Sequence, residues 1–589
     1  MTDCHAIVYP TVLRFKELFR LFCVSKRKRP FMPQKNTAQN INWKKIFIWA
    51  GSVIAVLLLL LFIGGVILQN KLPETLKNRI YSSSDRLYRI EFADMDVSLL
   101  AGSVDIEQVH LIPDTAVYNA IEGPEAPATL IDLKSSKIRL SGINVLKLIF
   151  GSNLNASSLT VDQPEIVLMD MLDTVRVDTA EKKAIYSRLP EFLKGARMGV
   201  VRINELSYVQ QQKGDSTLRG GQWTGLTFAF ESVALDSLSH QDSSRFWFCK
   251  DIQIDSRKVN FMSADGMYDL NMAAVKASAK TGELSVTDFK VIPKYPEIEF
   301  SRRLGKQGDR YNFVFAKIAA NGIDFKSLES TGKLKVSGLS LEDAELRIFN
   351  NKTLPPGGGI ATKNFPHLAL KRLDLPVVVD SLLLKNLAVY YKELNPDSGK
   401  PGTVFFTQLY GSITNISNDS AQWKADPWAK SAFKTNFMGK VPLNVSIDFL
   451  LPDKDGAFHY SGTLGGSDAR LFNQLLEPLA LARVESGKIQ KLTFSVKANR
   501  FGSTANVQML YSDLKVNLLK KDGAVLKKKG FLSFLANTFV VKNSNPRKDG
   551  EAPLRANVIY EHAQDRSFFN LMWKSIFTGI KDNLGIPDL

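Results

Sequence analysis

One pattern of eight residues recurs along the chain and constrains its fold more than any other feature. It reads apolar-x-apolar-x-x-apolar-x-apolar. Its copies are Val104, Ile106, Val109 and Leu111; Val201, Ile203, Leu206 and Tyr208; Leu284, Val286, Phe289 and Val291; Leu334, Val336, Leu339 and Leu341; and Leu382, Leu384, Leu387 and Val389. Residues two apart share a face of a β-strand, whereas a step of three changes the face. A β-bulge that bends the strand would keep all four apolar side chains on one face.

Short alternating runs with β-branched and aromatic residues fill most of the chain after residue 71, so we predict a mainly β protein with few helices. Bent strands with one apolar face would form an elongated, curled, antiparallel-rich sheet that encloses an apolar groove. The same alternation also suits a closed sandwich whose core is filled, and chance alternation also yields such octets. The apolar octet residues are our candidates for the lining of the groove.

The C-terminal residues 566–589 form a candidate amphipathic helix, because apolar residues recur there at helical spacing. The candidate contact residues of this helix are Phe569, Trp573, Ile576, Phe577 and Ile580. Such a helix either packs onto the end of the sheet or contacts a partner or a membrane.

Residues 46–68 contain no charged side chain, and 23 apolar or small residues are enough for a helix to span a bilayer. Lys and Arg are denser before this segment than after it, so the positive-inside rule places the N-terminus in the cytoplasm. We therefore predict a single-pass signal anchor. The residues before Met32 are apolar and cysteine-bearing, so we predict that translation starts at Met32 rather than Met1 and that residues 1–31 are an upstream extension. The alternative is a short amphipathic helix around Val12–Val24.

The net charge of +17 does not indicate a nucleic-acid partner. Residues 1–45 hold ten basic and two acidic residues and so carry +8, which leaves +9 spread over the rest of the chain. Only Cys249 follows the anchor, so the exported part has no internal disulfide, which favours a bacterial envelope.

The sequence offers no local catalytic or metal-binding motif. The six histidines are scattered, no HExxH or CxxC motif is present, and the Gly-Lys pairs lack the Ser or Thr of a phosphate-binding loop. We therefore expect a protein that is not an enzyme and that has no cofactor and no metal.

The chain resembles the AsmA-like proteins of Gram-negative envelopes, in the form common among Bacteroidetes. The resemblance rests on LYRIEFADMDVSLLAGSV at 87–104, FNQLLEP at 472–478, VESGKIQKLTF at 484–494 and GSTANVQMLYSDLKV at 502–516. The resemblance covers residues 45–585. With the charge and hydropathy patterns, we divide the chain into a cytoplasmic segment 1–45, an anchor 46–68, a β-groove region 71–465, a C-terminal module 466–565 and a final helix 566–589.

The resemblance implies a taco-shaped sheet in the periplasm that shelters lipid acyl chains between the two membranes. The expected partners are a phospholipid or other envelope lipid, the inner membrane and an outer-membrane or periplasmic protein. The expected function is lipid binding and transfer in support of outer-membrane biogenesis. The alternative is a non-enzymatic assembly factor for outer-membrane proteins with the same fold.

Overall fold

A computed structural model describes residues 72–586 of the protein, apart from 99–100, 122–126, 128, 144–152, 172–194, 213–214, 237–238, 240–241, 243, 358–364, 523–524, 529–541, 549 and 565. The predicted anchor 46–68 and both candidate start sites lie outside these residues. Across the described ranges, no helix has the length and apolar character that a membrane crossing requires.

The prediction of a mainly β chain with a long, antiparallel-rich sheet is confirmed. The strands are β1 Tyr88–Glu91, β2 Asp94–Ser98, β3 Ser103–Pro113, β4 Thr129–Ser141, β5 Asn153–Asp162, β6 Glu165–Asp170, β7 Gly195–Gln212, β8 Asp215–Asp236, β9 Asp251–Met262, β10 Tyr268–Ser278, β11 Glu283–Pro293, β12 Asp309–Asn321, β13 Leu334–Asn351, β14 Val377–Leu394, β15 Pro401–Ser417, β16 Trp428–Phe437, β17 Val441–Leu450, β18 Phe458–Leu464, β19 Ser467–Asp468, β20 Ala482–Asn499, β21 Gly502–Asp522, β22 Val525–Lys528 and β23 Ala556–Glu561. The α-helices are α1 Leu72–Ser83, α2 Thr115–Ala120, α3 Glu297–Leu304, α4 Phe325–Thr331, α5 Pro366–Lys371, α6 Ser420–Ala425, α7 Asn473–Ala480 and α8 Phe568–Leu584.

The described residues divide into two compact units. The first unit comprises 72–288 and 321–332, and the second comprises 289–320 and 333–586.

In the first unit, β1 and β2 both pair with β3, and antiparallel pairing continues through β4 and from β7 to β10. Both β5 and β6 run antiparallel to β4 and parallel to β7. Asn153 pairs with Gly195 and Glu165 with Ser207, which is the same offset, so β5 and β6 act as one strand interrupted at Gln163.

The three-residue step of the octet contains a residue in the left-handed backbone region in four of its five copies. These residues are Gln108, Glu205, Asp288 and Asn386, with φ between 51° and 59°. Each is the second of the two residues inside the step, where an irregular residue restores the apolar side chains to one face. In β3, for example, Glu107 and Gln108 are exposed while the apolar residues on either side are buried.

The fourth copy, in β13, departs from the prediction. No left-handed residue lies between Val336 and Leu339, and β13 pairs with β14 at a constant offset throughout this stretch. Alternation therefore places Leu334 and Val336 on the face opposite Leu339 and Leu341. The left-handed residue of β13 is instead Asp343, and its Oδ1 accepts a 2.7 Å hydrogen bond from Nδ2 of Asn386.

Register explains this displacement. The pairing of Glu342 with Lys385 and of Ala344 with Leu387 places Asp343 directly beside Asn386, so both strands bend at one level. The first unit uses the same arrangement, because Nε2 of Gln163 lies 3.2 Å from Oε2 of Glu205 and both residues have positive φ. When two paired strands bend together, their register decides which residue of each strand lies at the bend. The octet pattern of a single strand does not contain this register.

In the second unit, β13 and β14 are parallel, and antiparallel pairing then runs through β14, β15, β16, β17, β18, β20, β21 and β23. The predicted C-terminal helix is present as α8. It begins where the Ser567 side chain accepts a hydrogen bond from the backbone N–H of Asn570, and it ends at Gly585 in the left-handed conformation.

Candidate functional site: the apolar face of the second unit

The predicted groove residues of the first unit are almost all buried. The buried residues are Val104, Ile106, Val109, Leu111, Val201, Ile203, Leu206 and Val286, and Leu284 is half-buried. These side chains therefore lie in the interior of the first unit.

The predicted groove residues of the second unit differ among themselves in burial. The buried ones are Phe289, Leu334, Val336, Leu341 and Leu387, and the half-buried ones are Val291, Leu339, Leu382 and Leu384. Leu339 and Leu382 are register partners on β13 and β14, and Leu384 follows on the same face of β14. Partial exposure is therefore shared by neighbours on these two strands.

From Leu384, a row of apolar residues crosses the sheet at one register level. Each member is the direct partner of the next, so all their side chains lie on the same face. We call this set the apolar row; it consists of Leu384, Gly411, Phe433, Val445, Gly462, Phe494 and Val507.

Exposure changes along the apolar row. From Leu384 on β14 to Gly462 on β18 every member is half-buried, whereas Phe494 and Val507 are buried. Four strand spacings of about 4.8 Å make the half-buried part about 19 Å long. Its surface carries no polar side chain.

Two phenylalanines cover the glycines of the row. A Cβ on Gly411 would lie 2.4 Å from Cδ1 of Phe433, and a Cβ on Gly462 would lie 2.4 Å from Cζ of Phe494. Each ring therefore occupies the space above the glycine of the adjacent strand, an arrangement known to stabilise strand glycines. The apolar surface is continuous across strands that contribute no side chain.

Helix α8 covers the end of the apolar row. A Cβ on Gly579 would lie 2.5 Å from Cβ of Val507, so the helix backbone lies directly on the row. Oγ of Ser575 lies 2.5 Å from Oγ of Ser503, and Nδ2 of Asn583 donates a 3.1 Å hydrogen bond to the carbonyl of Val507. The helix therefore lies on the same face of the sheet as Phe433 and Val445.

The predicted contact residues of α8 are not the ones that attach it to β21. Phe569, Trp573, Ile576, Phe577 and Ile580 are all half-buried, and the rings of Trp573 and Phe577 stack at 5.4 Å. The residues that face the sheet recur every four positions and are small or polar, apart from the first: Leu571, Ser575, Gly579 and Asn583. This i, i+4 series is visible in the sequence and would have identified the docking face.

An aromatic cluster packs around the first residue of α8. The ring centroid of Phe568 lies 4.8 Å from that of Phe458 and 5.4 Å from that of Phe365. The ring centroid of His367 lies 5.0 Å from that of Phe449. Burial lowers the pKa of the His367 imidazole to about 4. A neutral, buried histidine of this kind serves packing rather than acid–base chemistry at neutral pH.

Among the described residues, the other reactive side chains lie in separate environments. Burial raises the pKa of the Cys249 thiol to about 12, which leaves it unreactive. His110 is half-buried, with Nε2 3.0 Å from Oδ1 of Asp132. In the part of the chain that the structure describes, no three His, Cys, Asp or Glu side chains form a group suited to a metal ion.

Comparison with known protein families and with characterised proteins finds no match to this chain.

Proposed function

We propose that this protein is a membrane-anchored periplasmic lipid-binding and lipid-transfer protein that supports the outer membrane, and that lipid acyl chains bind along the half-buried part of the apolar row. The observation that carries the proposal is this strip, about 19 Å long across five strands, made only of aliphatic and aromatic side chains and glycine.

The chemistry of the strip suits a hydrocarbon chain. Each methylene removed from water contributes about 0.8 kcal/mol, so ten methylenes against the row supply about 8 kcal/mol before the chain is ordered. No polar group in the row would need a partner, and no catalytic group is required. The resemblance to AsmA-like proteins supports the same function.

The proposal includes a membrane anchor at the N-terminal end of the chain. A helix at residues 46–68 would hold the chain in the inner membrane with its N-terminus in the cytoplasm and its bulk in the periplasm.

Site-specific photocrosslinking in cells tests the proposal. A photoreactive amino acid at Phe433 is expected to form phospholipid adducts, detectable by mass spectrometry. The matched control is Tyr410, which is 50% exposed and precedes Gly411, so it lies on the opposite face of β15. We expect no lipid adduct there. Equal lipid labelling at both positions would refute the proposal, and a single protein adduct at Phe433 would favour the assembly-factor alternative.

A further inference from the structure

The face of β14 that carries Leu384 ends in a buried carboxyl group. Beyond the bend at Asn386, the same face presents Leu387, Val389, Tyr391 and then Glu393, which is 0% exposed. An ionised carboxylate is costly in such a place unless donors surround it.

Only one carboxyl oxygen of Glu393 has a donor. The Tyr391 hydroxyl donates a 2.8 Å hydrogen bond to Oε2, whereas Oε1 is buried and has no hydrogen-bond partner. The register partner of Glu393 on β13 is Asn350, which is 4% exposed. Nδ2 of Asn350 donates to Oδ1 of Asp309 at 2.7 Å, which leaves the amide Oδ1 buried and also without a partner. Two adjacent buried residues thus each hold an acceptor that lacks a donor.

The charged groups around Glu393 act in opposite directions. Lys352 of the segment after β13 favours the ionised carboxylate, and Asp309 of β12 opposes it. From β15 the neighbour is Gly402, and Leu479 of α7 fills the space above it, with Cγ 2.4 Å from where a Cβ of Gly402 would lie. Burial is the largest influence and raises the pKa of Glu393 to about 7.

We propose that Glu393 is protonated in the folded protein and donates its proton from Oε1 to Oδ1 of Asn350. A protonated carboxyl group is both donor and acceptor, so one proton joins the two unpartnered oxygens in a single hydrogen bond. Loss of that proton leaves a carboxylate facing an amide oxygen between β13 and β14. The pair is therefore a pH-sensitive contact within the second unit, and it does not depend on lipid binding.

The dependence of stability on pH follows from the raised pKa. At pH values below the ordinary pKa of 4.5 the contact contributes fully, because both the folded and the unfolded states hold the proton. Between 4.5 and about 7 the unfolded state loses its proton first, so stability falls as pH rises. Over this range one proton changes the unfolding equilibrium constant by up to about tenfold per pH unit, and above it the effect levels off.

The test compares the full chain with Glu393→Gln, in which the side-chain amide can donate permanently to Asn350. Urea midpoints of the wild type are expected to fall relative to those of Glu393→Gln as pH rises from 5 to 7.5. Glu345→Gln, at an exposed residue of β13, is the control and should show no such difference. A difference between wild type and Glu393→Gln that is constant with pH would overturn the proposal, as would failure of Glu393→Gln to fold.

Infrared difference spectroscopy of the wild type provides a second readout that needs no variant. A carbonyl band of a buried protonated carboxylic acid should disappear as pH rises through about 7. Absence of this band at pH 6 would overturn the proposal. So would stabilisation of the wild type at pH 8 when sodium chloride replaces choline chloride, because a cation and not a proton would then fill the gap.

Discussion

Replacing Gly579 by alanine tests how α8 lies on the sheet. In an isolated helix, replacing glycine by alanine stabilises the helix by about 1 kcal/mol. In α8 the added Cβ would lie 2.5 Å from both Cβ and Cγ2 of Val507, which is fully buried. Overpacking of this kind costs about 1–3 kcal/mol, so the net effect is a loss of up to about 2 kcal/mol from the docking of α8.

Hydrogen exchange measures that loss directly. A loss of about 2 kcal/mol corresponds to opening that is about 30 times more frequent, so the amides of α8 should exchange up to about 30 times faster. Thr578→Ala is the control, because it raises helix propensity at the half-buried adjacent position. If Gly579→Ala slows exchange as much as the control does, α8 does not lie against Val507 as described.

Substitutions at three further positions probe the second unit. His367→Phe should remove a pH dependence: because burial lowers the pKa of His367 from 6.5 to about 4, the wild type should lose stability relative to the variant as pH falls through this range, and pH-dependent urea midpoints that run parallel would contradict this. Asn386→Val places a β-branched residue at φ 59° and should destabilise by about 1–2 kcal/mol, whereas Asn386→Gly should cost less; equal thermal midpoints would refute the role of the bend. Gly411→Ala should cost about 1–3 kcal/mol because its Cβ would meet the ring of Phe433, and an unchanged urea midpoint would show that the ring lies elsewhere.

The sequence allowed the strands to be predicted because their signal is local. Alternation identified the β character, and the three-residue step indicated that strands bend, as the left-handed residues at Gln108, Glu205 and Asn386 show. The bend of β13 at Asp343 was missed because its position depends on the register with β14.

The candidate site was only partly predictable for the same reason. Leu382 and Leu384 were identified from their octet, but Phe433 and Val445 join them only through pairing across strands distant in sequence. The docking face of α8 was missed because large apolar residues drew attention away from Ser575 and Gly579, which make the close contacts.

The amount of lipid that accompanies the protein tests the central claim most directly. Phospholipid per protein should be quantified by mass spectrometry after mild detergent extraction of the full chain. Phe433→Asp combined with Val445→Asp should lose most of the lipid that the wild type carries, because two charges would interrupt the apolar row. Tyr410→Asp, on the opposite face, should retain it. Equal lipid content in all three proteins would contradict the account.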